Sequence, residues 1–273
     1  MRRLLIVLTA ALGCLGGFRA SDAAAEIASP WVDGHSSRVR LVGGASLVGI
    51  EIELPEGWKT YWRTPGEAGG VPPAFDWSGS KNLASAQVLY PAPKRFSDSS
   101  GDTVGYKGTI VLPVRLKAED PAKPIEVQLG IDYGVCKDIC IPAQAKLELT
   151  LPPGTPMPEE LIDAMTKIPA PAEARREADP IVKKVAAELS GPKPHITLDV
   201  ELPGGAEHVD AFVEAPDGVY VPLPKKMSDD GKGQVTFEVD LSRDVDIPAL
   251  KGKEMTATVV SDKGQSEEKF PLQ

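Results

Sequence analysis

Apolar and polar residues alternate over much of residues 37–152, which is the pattern of strands that bury one face. Within residues 47–54, for example, Val48, Ile50 and Ile52 are separated by single glycine or glutamate residues. An all-β unit of this kind is most economically built as a sandwich of two packed sheets. We predict strands over residues 38–41, 47–54, 58–62, 86–90, 108–116, 125–133 and 145–151.

The alternation stops after residue 152, and the composition of residues 153–192 is typical of a linker. Helix-forming residues over 159–167 predict a short helix, which a Pro/Ala-rich stretch follows. Residues 181–189 predict a second helix, because apolar residues recur there every four positions after an Asp-Pro start signal. We interpret both helices as connectors.

Alternation returns over residues 193–273, where turn signals rich in Gly, Pro and Asp separate the apolar segments. The chain therefore divides into a first β domain over residues 26–152, the helical linker, and a second, smaller β domain that is also sandwich-like. In the second domain we predict strands over residues 195–202, 209–214, 234–241, 255–261 and 265–272.

Composition agrees with a mostly β fold and limits the function. The 273 residues include 26 glycines and 26 prolines, which favours short strands and turns over long helices. The formal net charge is -9. Because a general nucleic-acid binder must neutralise phosphates with positive charge, that class of function is excluded.

Residues 1–25 have the composition of a secretory signal peptide. Arg2 and Arg3 precede an apolar run over residues 4–18, and three consecutive alanines end the segment at Ala25. The run is shorter than the roughly 20 residues that a membrane-spanning helix needs, and no other stretch is long enough. We expect cleavage after Ala25 and a periplasmic mature protein without a membrane span.

A lipoprotein is the alternative for this leader. Leu12, Gly13 and Cys14 would then form the acylation site, with Cys14 as the modified residue. Ala11 stands where such sites usually have leucine, so we favour cleavage of an ordinary signal peptide.

The remaining cysteines, Cys136 and Cys140, are separated by three residues between two apolar segments. In an oxidising compartment a disulfide between them is the default. As a structural bond it would contribute only about 1.5–2 kcal/mol, because a loop of about five residues removes little entropy from the unfolded chain. Short-spaced pairs are common in thiol–disulfide exchange, so redox activity is the first interpretation. One alternative is a structural bond in a non-catalytic β-sandwich interaction module, and the other is metal binding.

In the metal alternative the protein is a Cu(I)-binding chaperone or copper-tolerance protein, with Cys136 and Cys140 as the ligands. Two soft thiolates suit Cu(I), and a distant histidine could complete such a site. His35, His195 and His208 are the histidines of the chain, and none is obviously placed for this role. In the redox interpretation we expect no cofactor.

Several ordered motifs resemble the N-terminal periplasmic domain of the DsbD thiol:disulfide interchange family. They are GWKTYWR at residues 57–63, GYKG at 105–108 with VLPV at 111–114, and YGVCKDICIP at 133–142. The resemblance extends over about residues 39–152. It is closest to the ScsB-type branch, which is linked to suppression of copper sensitivity.

The resemblance implies an immunoglobulin-like fold and a redox role for the cysteine pair. Such a pair would relay reducing equivalents from a membrane electron donor to periplasmic thioredoxin-like proteins, as a protein-disulfide reductase does. Cys136 and Cys140 would be the reacting residues, and the analogy favours Cys140 as the one that bonds the partner. A cap loop over about residues 93–101 would shield the sulfurs with Phe96, and three further aromatic residues are candidates for the pocket: Tyr61, Trp62 and Tyr133.

Two departures from the family pattern affect these expectations. The better-known branch spaces its cysteines more widely and places acidic residues before the cap aromatic, where this chain has Lys94 and Arg95. The acid role would then fall to Asp98 or Asp138, or be absent. Because the chain carries neither a membrane conduit nor a thioredoxin-like domain, we expect the electron donor to be a separate polypeptide.

Overall fold

The computed structural model describes residues 27–44, 46–99 and 101–273. The predicted signal peptide and Cys14 lie outside these residues. Among the helices in the described ranges, none has the length and apolar character that crossing a membrane requires. The fold is mostly β, which confirms the fold class expected from the sequence.

The first domain consists of two antiparallel sheets that enclose one core. Strand order in the first sheet is β1-β3-β4-β10-β7 with β2 beside β3, and in the second it is β12-β11-β5-β9-β8 with β6 beside β11. This is the two-sheet sandwich that the alternating pattern predicts, and it agrees with the immunoglobulin-like fold that the family resemblance implies. The strands are β1 (Ile27–Ala28), β2 (Val32–Gly34), β3 (Ser37–Gly44), β4 (Leu47–Glu53), β5 (Lys59–Tyr61), β6 (Ala74–Asp76), β7 (Leu83–Val88), β8 (Lys94–Asp98), β9 (Gly101–Lys107), β10 (Thr109–Ala118), β11 (Ile125–Cys136) and β12 (Cys140–Leu151).

Alternation along these strands builds the core directly. In β11 the side chains of Val127, Leu129 and Ile131 point inward and are almost fully buried, while Glu126 and Gln128 at the alternate positions are exposed. At roughly 25 cal/mol per Å² of apolar surface, each such side chain stabilises the fold by about 1.5–3 kcal/mol relative to an exposed position. The alternation therefore decides which side chains of β11 enter the core and which point away from it.

The segment between the domains contains one helix where the sequence predicts it. Helix α1 (Glu159–Thr166) begins after Pro158 and ends before Lys167. Leu161 and Ala164 on its inner face are buried, and the helix packs against β10 of the first domain. It is therefore part of that domain's packing, and the interpretation as a simple connector was wrong.

The predicted helix over residues 181–189 is a strand, β14 (Ile181–Glu188), paired with β15 of the second domain. The register shifts between Val182 and Lys184, as at a β-bulge. One extra residue in a strand reverses the alternation, so Val182 and Val185 both pack on the second core. This spacing imitates a helical period, whereas the β-branched residues favour the strand.

The second domain consists of two four-stranded sheets around its own core. Their strand orders are β13-β20-β19-β16 and β14-β15-β18-β17. The strands other than β14 are β13 (Ala170–Pro171), β15 (His195–Glu201), β16 (Val209–Glu214), β17 (Lys225–Asp229), β18 (Gln234–Asp240), β19 (Glu254–Ser261) and β20 (Gln265–Pro271), and a short helix α2 (Ile247–Leu250) precedes β19.

The two domains share an interface with an apolar centre and charged flanks. Phe212 of β16 is buried in the core of the first domain, with its ring centroid 5.5 Å from that of Trp62. On one flank, Arg95 of β8 donates hydrogen bonds to the carboxylate of Asp210, at 2.7 and 3.0 Å, and to the backbone oxygens of Ala211 and Pro224. On the other flank, Arg63 binds carboxylates of the second domain.

Candidate functional site

The cysteines lie at the end of the longest hairpin of the first domain. β11 and β12 pair along their whole length, and Cys136 opposite Cys140 is the final pair of the ladder. Three residues form the turn between them. A hydrogen bond of 3.2 Å from the Lys137 amide to the Ile139 carbonyl closes this turn. Paired positions in adjacent strands bring side chains close together, and the two cysteines form a disulfide.

The two sulfur-bearing residues differ sharply in exposure. Cys136 is 1% exposed, whereas Cys140 belongs to the exposed side of the turn. Ile139 beside Cys140 is 67% exposed, an unusual position for a large apolar side chain. An approaching thiolate can therefore reach Cys140, while Cys136 is shielded.

A phenol contacts both sulfurs. The hydroxyl oxygen of Tyr61 lies 2.6 Å from Sγ of Cys136 and 2.8 Å from Sγ of Cys140. Burial raises the pKa of the Tyr61 hydroxyl, and the negative charge of Asp98 raises it further. The hydroxyl therefore keeps its proton at neutral pH and is a donor for a sulfur that gains negative charge.

Two glycines give the Tyr61 ring its space. Tyr61 ends β5, which lies between β11 and β9 in the sheet. A β-carbon on Gly134 would lie 2.9 Å from the ring, and one on Gly70 would overlap it. The ring is thus sandwiched between β11 and the loop of residues 62–73, which we call the cover loop. The Gly134 amide donates to the carbonyl of Val71 in the cover loop at 3.0 Å.

A buried lysine stands beside Cys136. Lys59 of β5 is the register partner of Cys136 and is only 8% exposed. Its ammonium group donates to Asp98 and to Thr103, both at 3.1 Å. Of the two candidate acids, Asp98 is thereby held near Lys59 and Tyr61, whereas Asp138 lies exposed in the turn between the cysteines.

The proposed cap is a hairpin in the structure and not an irregular loop. Residues 94–98 form β8, which pairs with β9, so the prediction of a loop over residues 93–101 was wrong. Phe96 is half-buried in β8, and the ammonium group of Lys107 lies 4.4 Å from its ring centroid. Alternating Lys94, Phe96 and Asp98 share one face of this strand, a short period that sequence reasoning overlooked.

The other two aromatic candidates lie in the hydrophobic core. Trp62 is 1% exposed and packs between Phe212 and the guanidinium group of Arg63. Tyr133 points to the inner face of β11, opposite to the face that carries Cys136, and its hydroxyl bonds that of Ser37 at 2.8 Å. Tyr61 is the aromatic candidate whose contact with the sulfurs the structure records.

The structure does not gather a histidine set around the cysteines. His35 packs edge-on against Trp58, and His195 and His208 belong to the second domain. Among residues 27–44, 46–99 and 101–273 no group of three or more His, Cys, Asp or Glu side chains is arranged to hold a metal ion. Copper binding stays a prediction.

Sequence reasoning missed Lys59, Gly70 and Gly134 as parts of the site. Lys59 and Tyr61 occur in the same motif, and their spacing of two places them on one face of a strand. That spacing could have found the lysine. The role of the glycines depends on the fold, because each contacts a ring that is distant in sequence.

Comparison with known proteins agrees with this geometry. The chain has no match among curated proteins. A solved structure of the N-terminal periplasmic domain of ScsB from Proteus mirabilis has the same fold, with a TM-score of 0.70, 22% identity, and coverage of 91% of this chain and 99% of that chain. Residues 31–152 match the family model described as thiol:disulfide interchange protein DsbD, N-terminal. These residues, which carry the disulfide, are therefore similar to the DsbD N-terminal family.

Proposed function

We propose that this protein is a periplasmic thiol:disulfide interchange protein in which Cys136 and Cys140 relay two electrons between protein partners. The observation that carries the proposal is the asymmetry of the disulfide. Cys140 is exposed, Cys136 is buried, and the Tyr61 hydroxyl contacts both sulfurs. A bond that served stability alone would need neither an accessible sulfur nor a proton donor beside it.

The reaction runs through a mixed disulfide. In the reduced protein, the Cys140 thiolate attacks one sulfur of an oxidised partner, forms a bond to it and releases the second partner sulfur as a thiolate. The Cys136 thiolate then attacks Sγ of Cys140, restores the intramolecular disulfide and releases the partner's first sulfur. The partner gains two electrons, and with two protons from solvent it becomes a dithiol.

Neighbouring groups favour this sequence of steps. Tyr61 donates a hydrogen bond to Cys136 when that sulfur carries negative charge, whether as attacking thiolate or as leaving group. Lys59 and Cys136 are register partners, and a positive charge near a cysteine lowers the cost of forming its thiolate. Asp98 holds this lysine and is the better-placed candidate acid.

Thioredoxin-like proteins are the proposed electron acceptors, and a separate membrane protein is the proposed donor. The match of residues 31–152 to the DsbD N-terminal model supports thiol-redox partners in general. The exposed Ile139 beside Cys140 supports docking of a partner with an apolar rim around its own active sulfur.

Trapping with single-cysteine variants tests the proposal. We expect Cys136→Ser to accumulate a mixed disulfide between Cys140 and an oxidised thioredoxin-like protein, because the resolving sulfur is missing. Cys140→Ser should trap far less, since Cys136 is shielded. Mass spectrometry of the cross-linked peptides identifies the sulfur. Equal trapping by both variants, or by neither, would contradict the proposed roles.

A further inference from the structure

The second domain forms hydrogen bonds with the cover loop, which packs on Tyr61. Glu214, at the end of β16, accepts hydrogen bonds from Arg63 Nη2 at 2.6 Å and from the Thr64 hydroxyl at 2.5 Å. Arg63 also donates to Glu267 of β20 at 2.7 Å. Both donors are the residues that follow Trp62 in the cover loop, so the loop is tied to two strands of the second domain.

This tie is largely shielded from solvent. The side chain of Glu214 is 13% exposed and that of Arg63 is 29% exposed. Burial by itself would lower the pKa of Arg63, but its hydrogen bonds and ion pairs with Glu214 and Glu267 outweigh burial and raise it. Bidentate, charge-assisted bonds of this kind fix geometry as well as adding stability.

The same loop contacts Tyr61 at its other end. Gly70 lies directly against the ring, and the Val71 carbonyl is fixed by the Gly134 amide of β11. Glu67, between the two ends, accepts a bond from the Leu223 amide of the second domain at 3.3 Å. A continuous path of contacts therefore joins Glu214 to the hydroxyl that touches the sulfurs.

We propose that Glu214, with Arg63 and Thr64, is a positioning residue for Tyr61, so that the second domain sets how well Cys136 is stabilised as a thiolate. The inference rests on the proposed function in that both concern the Cys136–Cys140 bond. It gives the second domain a role in the chemistry, although none of its described residues carries a sulfur of the reacting pair.

Reduction by dithiothreitol tests the inference without any protein partner. One thiolate of dithiothreitol attacks Sγ of Cys140 and expels Cys136 as a thiolate. The second sulfur of dithiothreitol then closes its own ring and releases Cys140, so that dithiothreitol is oxidised by two electrons and the protein is reduced. The charge that develops on Cys136 in the first step is the one Tyr61 stabilises.

The experiment is a double-mutant cycle on the rate of this reduction. Tyr61→Phe should slow it about tenfold, the size of a lost hydrogen bond to a charged group. Glu214→Ala should slow it about threefold, and Glu214→Gln should recover part of the loss because the amide oxygen still accepts. In the Tyr61→Phe background, Glu214→Ala should have no further effect, because the two changes act through one contact.

A second readout separates positioning from general loosening. In the Cys140→Ser background, ultraviolet titration of the Cys136 thiolate should show a higher thiol pKa for Glu214→Ala and no shift for Glu268→Ala. Glu268 forms a comparable ion pair with Arg175 at 2.8 Å in the neighbouring part of β20 and is the matched control. The inference would be overturned if Glu214→Ala slowed reduction equally with and without the Tyr61→Phe change. It would also be overturned if Glu268→Ala raised the thiol pKa as much as Glu214→Ala. Failure of partner trapping with an intact cycle would instead count against the proposed function.

Discussion

The two domains use the same architecture, yet their hairpin ends differ in a way that explains where chemistry is found. In the second domain, the turn after β17 is exposed and satisfies its own backbone, as Asp229 and Asp230 accept bonds from nearby amides. In the first domain, the end of β11–β12 is covered from outside by the cover loop and by Tyr61. A β-sandwich has many hairpin ends. The end of β11–β12 becomes a candidate functional site because the cover loop and Tyr61 pack over it.

The largest loss of stability is expected at the apolar contact that joins the domains. Phe212→Ala should destabilise the protein by about 3–5 kcal/mol, because it removes a buried ring from the first core although the residue belongs to the second domain. Phe237→Ala removes a ring of similar burial from the second core alone. We expect the Phe212 change to shift the unfolding of both domains in calorimetry and the Phe237 change to shift chiefly that of the second. Identical profiles for the two variants would contradict coupling through Phe212.

The packing of the cover loop on Tyr61 can be disturbed by a substitution at Gly70. Gly70→Ala should destabilise the first domain by about 2–3 kcal/mol, because the new methyl group meets the Tyr61 ring at a positive φ of 153°. Gly69→Ala is the matched control, since its φ is also positive but nothing lies within 4 Å of the added carbon. Denaturant unfolding measures both, and the control should cost about 1 kcal/mol. Equal losses would show that the ring contact does not matter.

A smaller effect is expected at the junction before β14. Burial opposes ionisation of Asp179, but its bonds from Arg176 and from the Gln265 amide prevail and hold its pKa below the ordinary value. The stabilisation is therefore complete above about pH 4 and is lost as the pH falls towards the folded-state pKa. Asp179→Asn should lower stability at neutral pH and flatten the decline in acid. A urea series at several pH values checks this, and an unchanged acid slope would contradict it.

Features that depend on residues close in sequence were predictable, whereas features that depend on contacts between distant residues were not. Alternation in residues 47–54 and 125–133 predicted strands correctly, because a strand's inward face depends on neighbouring positions only. The β14 segment failed because a bulge, which is set by pairing with β15, changed the period. The cysteine pair and Tyr61 were found from motifs. The contact of Glu214 with the cover loop was not predictable, since its hydrogen bond with Thr64 joins residues 150 positions apart in the sequence.

We propose that the Cys136–Cys140 disulfide exchanges electrons and is not a purely structural bond. Its reduction potential, measured at equilibrium against glutathione and dithiothreitol, tests this most directly. We expect a potential within the range of exchange proteins, above about -300 mV. A potential far below that value would identify a structural bond and contradict the account.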